Sequence, residues 1–236
     1  SPEGRGKYLP AAEYVYKAQV GGRGVYSFCM CPGGFVVPAS TGPEETVVNG
    51  MSPANRGSRW ANSGMVVELH PEDIPETGIA VEDPTSPLAL MHWCQEFERK
   101  SYIAAECSLR APAQRMTDFV KGRFSQSLPS SSYSMGLTPS ALHEWMPHFV
   151  AQRLAEGFRA FDRSTRGFLT EEAQLIGVES RTSSPIRIPR DRETYCHPVV
   201  TGLYPAGEGA GFAGGIVSAA IDGENAAQQI ALALGR

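Results

Sequence analysis

Short apolar runs alternate with polar turns along the first third of the chain. Each run is three to six residues long and rich in β-branched and aromatic residues, a composition typical of strands. The runs cover residues 25–30, 35–37, 46–48 and 65–69. The sequence Pro32-Gly33-Gly34 separates the first two runs and predicts a hairpin or a meander. Residues 20–70 are therefore predicted to be β-rich.

The apolar spacing becomes helical between residues 85 and 165. Leu90, Cys94 and Phe97 recur at intervals of four and three residues, which indicates one face of a helix. A proline inside such a pattern ends or kinks the helix. Helices are predicted over 88–105, from near Ala113 to Lys121, and from an N-cap at Ser140 onward, with a break at Pro147.

Strand-like runs return after the helical section. Residues 125–139 are rich in Ser, Pro and Gly and are predicted to form an exposed loop. Short strands are predicted over 175–179 and 186–188. The order is strands, then helices, then strands, with no regular βαβ alternation before the C-terminal end. This order predicts an α+β fold, in which a mixed β-sheet body carries a helical section.

The C-terminal segment combines a strand-like run, a glycine-dense turn and a helix. Residues 199–201 are β-branched, six glycines lie in the span 202–215, and a helix is predicted over 216–234. The N–H groups and partial positive charge at a helix N-terminus favour an anion or a dipole. Glycines let a ligand approach the backbone because they have no Cβ. The alternative is a turn that only packs the helix on the strand.

Residues 209–214 satisfy the pattern Gly-x-Gly-x-x-Gly, but their context differs from that of a dinucleotide fingerprint. Such a fingerprint is followed by a second strand and by an acidic residue about 20 positions on. The sequence stops within the predicted helix. The turn is therefore expected to close a cofactor domain whose main part lies upstream.

Composition narrows the class of function. The chain has 236 residues and a formal net charge of -4, which argues against nucleic acid or an anionic membrane as the main partner. No run approaches the ~20 apolar residues of a membrane span. Five cysteines, an odd number, favour a reducing cytoplasm over a disulfide framework. The absence of Gly-x-Ser-x-Gly and P-loop sequences argues against the corresponding hydrolases and NTPases.

No metal site is predicted. Cys29 and Cys31 form a Cys-x-Cys pair, but no second pair and no suitably spaced histidine completes a zinc site. The same spacing suits two strand residues that point to one face, with Met30 on the other. The five histidines show no metal-ligand or catalytic-triad spacing.

Five segments carry a family resemblance. Residues 204–216 read Tyr-Pro-Ala-Gly-Glu-Gly-Ala-Gly-Phe-Ala-Gly-Gly-Ile. They resemble the C-terminal flavin signature of uncharacterised FAD-dependent dehydrogenases of the glutathione-reductase-type flavoprotein superfamily. Segments 25–34, 49–52, 111–115 and 179–185 resemble the same family. The resemblance implies that 1–200 is mostly an inserted substrate domain and that 201–236 closes a Rossmann-like FAD domain.

The resemblance also implies residue roles at the glycine turn. Glu208 would accept a hydrogen bond from a ribityl hydroxyl, and N–H groups around 213–216 would face N1 and O2 of the flavin. A helix N-terminus stabilises the negative charge that the ring gains on reduction. The implied cofactor-binding residues are Gly207, Glu208, Gly209, Ala210, Gly211, Phe212, Ala213, Gly214, Gly215 and Ile216.

A second group of candidates would lie beside the flavin or the substrate. Cys29 and Cys31 are candidates for redox-active thiols, and the alternative is a place in the strand core. For the polar cluster at 181–185, the alternative to a binding role is a turn capped by its hydroxyl groups. The flavin- or substrate-proximal candidates are Arg181, Ser183, Ser184, Gly33 and Gly34.

The predicted function is that of a C-terminal fragment of a cytoplasmic FAD-dependent oxidoreductase. Hydride or electrons would pass through the flavin to or from a small-molecule substrate. The chain begins Ser-Pro-Glu without Met, so an N-terminal Rossmann half is expected to precede it. Without that half we expect weak FAD binding or none. The alternatives are a small-molecule or anion-binding module without redox chemistry, and a structural domain without a ligand.

Overall fold

A computed structural model describes residues 15–235 of the chain, and they divide into two compact units. Unit 1 consists of the described residues 15–84 and 93–180, and unit 2 of 85–92 and 181–235. All strands of the described residues belong to unit 1. The domain boundary near residue 200 stays a prediction.

Three small sheets form the β part of unit 1. Its strands are β1 (Lys17–Val20), β2 (Arg23–Pro32), β3 (Phe35–Pro38), β4 (Val48–Met51), β5 (Ala61–Val67), β6 (Ala111–Arg115), β7 (Leu137–Pro139) and β8 (Gln174–Ile176). The first sheet is antiparallel with the order β1-β2-β5, and the second is the antiparallel pair β3-β4. In the third sheet β6 runs parallel to β7 and antiparallel to β8.

The helices confirm most of the predicted periodicity. They are a 3-10 turn (Pro71–Asp73), α1 (Ile74–Thr77), α2 (Ala89–Ala104), α3 (Met116–Lys121), α4 (Leu142–Trp145), α5 (His148–Ser164) and α6 (Ile216–Ala233). The break at Pro147 is confirmed, because this residue separates α4 from α5. No helix of the described part is long and apolar enough to span a bilayer.

The long helix α5 packs on the first sheet through a glycine. A Cβ on Gly157 would lie 2.6 Å from Cγ1 of Val25, so only glycine permits this approach of helix and strand. Phe158 and Phe161 of α5 are buried and form ring contacts with Phe168. Burial of these aromatic side chains contributes to the hydrophobic stabilisation of unit 1.

The α+β class is confirmed as a mixture of small sheets and helices, but several predicted elements are wrong in detail. The two sides of the Pro-Gly-Gly break do not form a hairpin, because β2 is already paired on both edges by β1 and β5 while β3 pairs with β4. Residues around Ala113 are strand β6 rather than the start of a helix, since both of its edges are hydrogen-bonded. The predicted loop 125–139 ends in strand β7.

Unit 2 also departs from the prediction, because its described residues contain helix α6 but no strand. The run 199–201 is a turn: Nδ1 of His197 accepts the N–H groups of Val199 and Val200, which removes them from any ladder. The run 186–188 is irregular as well, although the N–H of Ile188 donates to the carbonyl of Ala210. The predicted terminal strand–helix unit is therefore reduced to its helix.

Candidate functional site

The glycine-rich turn of unit 2 runs directly into helix α6. Gly207 has a φ of 75°, and the turn is closed by hydrogen bonds from the N–H of Gly211 to the carbonyl of Glu208 and from the N–H of Phe212 to that of Gly207. Gly215 is extended and caps α6. The side chain of Glu208 is exposed. Residues 207–216 were predicted to bind the cofactor, and their contact with it stays a prediction.

The glycines of this turn differ in what surrounds them. At Gly211 the φ is 83° and a Cβ would lie 2.7 Å from the carbonyl oxygen of Ile186, so this glycine is required by the packing of the chain itself. At Gly209 and Gly214 the backbone has ordinary φ values, and a Cβ would meet no protein atom within 4 Å. Nothing within the described fold therefore requires glycine at these two positions.

The start of helix α6 keeps its donors available. No side chain caps the helix at Gly215, and the hydroxyl of Ser218 donates to the Gly215 carbonyl instead of accepting from an N–H. The first N–H groups of a helix have no intrahelical partner. The segment thus presents backbone donors and a positive dipole end, the arrangement that favours a ligand with negative charge.

An ion pair holds the turn against the helix. Arg190 makes a bidentate contact with Asp222 of α6, with distances of 2.9 Å from Nη1 to Oδ2 and 2.6 Å from Nη2 to Oδ1. Asp222 Oδ2 also accepts the N–H of Gly207 at 2.8 Å, and Arg190 Nη1 donates to the carbonyl of Pro205. The two charged side chains are only 9% and 11% exposed. This pair fixes where the turn sits on the helix.

Aromatic rings complete the surroundings of Arg190. Its guanidinium carbon lies 3.7 Å from the ring centroid of Phe212 and 4.0 Å from that of Tyr195, distances typical of cation–π contacts. The hydrogen bonds from Arg190 lower the pKa of Asp222, which therefore stays ionised at neutral pH. Sequence reasoning missed both charged residues, and the signal available was Asp222, one of two carboxylates in a helix rich in Ala, Val, Ile and Leu.

A cleft of about 290 Å³ lies beside the turn. It is lined by Ser183, Ser184, Gly211, Phe212, Ala213 and Gly214. Two of the predicted polar residues, Ser183 and Ser184, therefore lie beside the glycine segment. The hydroxyl of Ser184 is engaged, because it donates to the carbonyl of Ile186 at 2.9 Å. The side chain of Ser183 is exposed, and Arg181 lies outside the lining. Contact of these residues with a flavin or a substrate stays a prediction.

Cys29 and Cys31, the two cysteines of strand β2, do not share a strand face. The register of β2 against β5 shifts between Phe28 and Cys31, and Cys29 has a φ of 45°. Such an irregularity re-aims one side chain. Cys31 is consequently buried while Cys29 is exposed. The prediction of two thiols on one face is therefore wrong, and the redox role of either thiol stays a prediction.

Gly33 and Gly34 are enclosed by the chain itself. Gly33 has a φ of 63°, and a Cβ there would lie 1.9 Å from the carbonyl oxygen of Arg56. At Gly34 a Cβ would lie 2.4 Å from the carbonyl oxygen of Met51. The end of β4 thus packs directly on Gly34 and the loop after β4 on Gly33, which accounts for the residue type without a ligand.

The buried thiol belongs to a polar cluster that sequence reasoning missed. Cys31 lies opposite Asn62 in the β2–β5 register. A Cβ on Gly50 would lie 2.1 Å from Oδ1 of Asn62, and a Cβ on Gly64 would lie 2.5 Å from Oε2 of Glu179. These contacts bring together three of the segments that carry the resemblance, 25–34, 49–52 and 179–185. The sequence signal for this cluster was the family resemblance, which identifies the segments but not the contacts between them.

Two members of this cluster lack internal partners. Neither Nδ2 of Asn62, which is buried, nor the carboxyl of Glu179 has a hydrogen-bond partner within residues 15–235. Burial raises the pKa of Glu179, and burial followed by the charge of Glu179 raises that of Cys31. A carboxyl and a thiol with perturbed pKa values at one point are a pattern typical of functional sites. Over the same residues no group of three or more His, Cys, Asp or Glu could hold a metal ion.

Comparison with known proteins places the chain in a family. A family model described as "FAD-dependent protein, C-terminal domain-like" matches residues 2–182. An uncharacterised protein of Clostridium beijerinckii is 42% identical over 226 residues, which covers 94% of this chain and 41% of the relative. The chain spans about two fifths of the length of that relative.

The two matches cover different parts of the chain. The family model stops at 182, before the glycine turn. The alignment with the relative leaves about 6% of this chain uncovered, too little to omit residues 207–216 from a continuous match. Because the family model matches well over half of the residues, the chain belongs to the FAD-dependent protein C-terminal domain-like family.

Proposed function

We propose that this chain is the C-terminal, substrate-side part of an FAD-dependent oxidoreductase and that residues 207–216 contact the flavin. The observation that carries the proposal is the pairing of two features at one point. Gly209 and Gly214 have open space where a Cβ would stand, and α6 begins there without a capping side chain. Such a turn fits a flat, electron-accepting ring that approaches the backbone closely.

The residues of the turn have separate roles in this proposal. The N–H groups around 213–216 face N1 and O2 of the flavin, and exposed Glu208 accepts a hydrogen bond from a ribityl hydroxyl. The Arg190–Asp222 pair positions the turn, because it binds the N–H of Gly207 and the carbonyl of Pro205. When bound, FAD supplies the transfer of hydride or of electrons.

The substrate side of the proposal lies in unit 1. Cys31, Asn62 and Glu179 offer a thiol, an amide and a carboxyl at one end of the first sheet, and two of these groups have unused hydrogen-bonding capacity. Such a set orients a small polar molecule and can exchange a proton with it. Within this proposal residues 1–200 form the substrate domain of a cytoplasmic enzyme of the glutathione-reductase type.

The remaining part of the enzyme follows from the same proposal. Residues 201–236 close a Rossmann-like FAD domain whose N-terminal half holds the pyrophosphate. Support comes from the relative, since about three fifths of its length has no counterpart in this chain. The isolated 236-residue chain is therefore expected to bind FAD weakly or not at all.

Alanine substitution at the open glycines tests the role of the turn. In the longer protein, Gly209→Ala and Gly214→Ala should each lower the flavin content of the purified protein at least severalfold, measured as flavin absorbance per polypeptide. In the 236-residue chain neither change should shift the melting temperature, because no protein atom lies near the added methyl group. Gly57→Ala in unit 1, where the nearest atom is 3.5 Å away, is the matched control.

Full flavin content in both variants would contradict the proposal. The alternative, an anion-binding module without redox chemistry, is favoured by the same uncapped helix start. A thermal shift of the 236-residue chain with citrate but not with FAD or FMN would support that alternative.

A further inference from the structure

Two large apolar side chains are exposed next to each other on the β3–β4 pair of unit 1. Phe35 and Met51 lie opposite each other in the register of the two strands, and their side chains are 38% and 57% exposed. Side chains of directly opposed residues lie on the same face of a sheet. The ring centroid of Trp60 lies 6.4 Å from that of Phe35. We call Phe35, Met51 and Trp60 the apolar platform.

The loop between β4 and β5 is fastened to the Pro-Gly-Gly turn that precedes β3. The hydroxyl of Ser58 donates to the carbonyl of Gly34 at 2.8 Å, and the N–H of Trp60 donates to the same hydroxyl at 3.2 Å. The carbonyl of Arg56 packs on Gly33 of this turn. A site that is held in place before binding loses less conformational entropy when a ligand binds. The backbone that carries Trp60 is therefore preorganised.

A guanidinium group lies against the ring of Trp60. The guanidinium carbon of Arg59 is 4.6 Å from the ring centroid, and Nη2 donates to the hydroxyl of Ser130 at 3.0 Å. Neither partner is charged, and Arg59 has no carboxylate partner among the described residues. A guanidinium presents five N–H donors in a planar fork that matches a carboxylate. Arg59 is thus held in place and keeps donors available.

The segments that form this surface contain no acidic residue. Residues 46–67 include Arg56 and Arg59 but no Asp or Glu. Residues 25–43, which contain β3, and residues 122–139, which contain Ser130, also lack Asp and Glu. This distribution contrasts with the net charge of -4 of the whole chain. The local positive charge favours an anionic ligand.

We propose that the apolar platform and Arg59 bind the substrate and that this substrate is an aromatic carboxylate. Its ring packs on Phe35 and Met51, and its carboxylate is bound by Arg59. An exposed apolar surface beside a cation that lacks a carboxylate partner fits a ligand with both a ring and a negative charge. The inference deepens the proposed function and rests on it where it calls the ligand the substrate.

The platform adjoins the polar cluster of Cys31, Asn62 and Glu179 along the chain. Trp60 comes two residues before Asn62, and Pro32 pairs with Ala61 at the end of the β2–β5 ladder. Phe35 follows the turn that begins directly after Cys31. The proposed carboxylate site and the polar cluster therefore belong to the same end of the first sheet.

Protein occupants fit this surface less well. A stable protein interface takes about 800 Å² from each partner, which is far more than three partly exposed side chains offer. In a two-fold contact between copies of this chain that is centred on the platform, both Arg59 groups would face each other. Like charges at such a contact repel. A small anionic molecule has neither difficulty.

Titration of the 236-residue chain with benzoate, and with benzamide as its uncharged isostere, tests the inference. Binding is followed by NMR through the indole N–H of Trp60. The indole N–H groups of Trp93 and Trp145, which donate to Thr77 and Ser140, are internal controls and should not shift. We expect the Kd of benzoate to be at least about tenfold lower than that of benzamide, because a charge-assisted hydrogen bond is the stronger one.

Three variants assign the effect to residues. Arg59→Gln should reduce the preference for benzoate to about one, whereas Phe35→Leu should weaken both ligands severalfold, because it removes the ring on which they pack. Arg99→Gln removes an exposed arginine that pairs with Glu96 on α2, and this matched control should keep the tenfold preference.

Each outcome of the titration decides the matter. A preference for benzoate that depends on Arg59 supports the inference. Equal affinity for benzoate and benzamide, or no saturable shift of the Trp60 signal, overturns it. Binding of AMP without binding of benzoate overturns it in favour of a nucleotide. The titration contains no flavin, so its failure is distinguishable from a failure of flavin binding, which the variants at Gly209 and Gly214 report.

Discussion

Two glycine turns of this protein look alike in sequence and differ in structure. In unit 1 the turn at Gly33 and Gly34 is enclosed by the carbonyl groups of Arg56 and Met51. In unit 2 the turn from Gly207 to Gly215 has open space at Gly209 and Gly214. In the first turn glycine is required by the chain's own packing. In the second, no neighbouring protein atom accounts for glycine at Gly209 and Gly214, and the flavin contact that we propose would account for it.

The two turns are also stabilised differently. The turn in unit 1 is held by backbone that packs directly on it, whereas the turn in unit 2 is held by the Arg190–Asp222 pair through hydrogen bonds to its backbone at Pro205 and Gly207. If residues 207–216 contact the flavin, as we propose, their turn cannot be filled by its own neighbours. An ion pair behind the turn positions the backbone and leaves its front accessible.

The largest effect on stability is expected at Gly33. Gly33→Ala places a methyl group 1.9 Å from the carbonyl oxygen of Arg56 at a φ of 63°. Overpacking and the left-handed backbone together should lower the free energy of unfolding by about 3 kcal/mol. Gly209→Ala, measured in the same urea titrations of the 236-residue chain, should stay within about 0.5 kcal/mol of the parent. Equal losses at both positions would remove the distinction between the two turns.

An intermediate effect is expected at the ion pair. Asp222→Asn leaves the guanidinium of Arg190 buried without its carboxylate and should lower the free energy of unfolding by about 2 kcal/mol. Glu224→Gln, on the exposed side of the same helix, is the control. Flavin content of the longer protein should fall with Asp222→Asn as well, because Gly207 loses the acceptor of its N–H.

The loss of stability caused by Asp222→Asn should depend on pH. Because the folded state lowers the pKa of Asp222, the stabilisation is present above the ordinary value of about 4 and is lost as the pH falls through the folded-state value. The difference in melting temperature between parent and Asp222→Asn should therefore shrink in acid. A difference that is the same at pH 3 and pH 7 would contradict the role of the charge.

The smallest effect, of opposite sign, is expected at Glu179. Burial raises the pKa of this carboxyl in the folded state, so its contribution to stability is complete below the unfolded-state pKa and is lost as the pH rises through the folded-state value. Glu179→Gln should therefore stabilise the 236-residue chain by about 1 kcal/mol at pH 8 and leave it unchanged at pH 4. Exposed Glu172→Gln is the control, and a destabilised Glu179→Gln at pH 8 would argue for a hidden partner of the carboxyl.

The local pattern of apolar residues and prolines predicted the elements that depend on residues close to one another in the sequence. Helix α2 follows the spacing of Leu90, Cys94 and Phe97, and the break before α5 follows from Pro147. Pairing between strands was not predictable, since β6 is recognised only through its partners β7 and β8. The strand expected at 199–201 failed because one histidine side chain accepts two of its N–H groups.

The residues of the candidate site were likewise predictable only where they are close together in the sequence. The glycine turn was visible in the sequence because its residues are consecutive, and the first turn of α6 follows it directly. Asn62 and Glu179 are 117 positions apart, and Arg190 and Asp222 are 32 apart, so neither association has a local pattern. The family match places the chain in the FAD-dependent protein C-terminal domain-like family but assigns no residue a role.

The sequence by itself determined the mixture of helices and strands, the position of the glycine turn and the family of the protein. Each of these depends on residues that are close along the chain or on a pattern that survives without coordinates. The tertiary structure decided which glycines are packed and which are open, and which polar groups meet at Cys31 and at Arg190. These properties depend on distances between segments that are remote in sequence, and such distances exist only once the chain has folded.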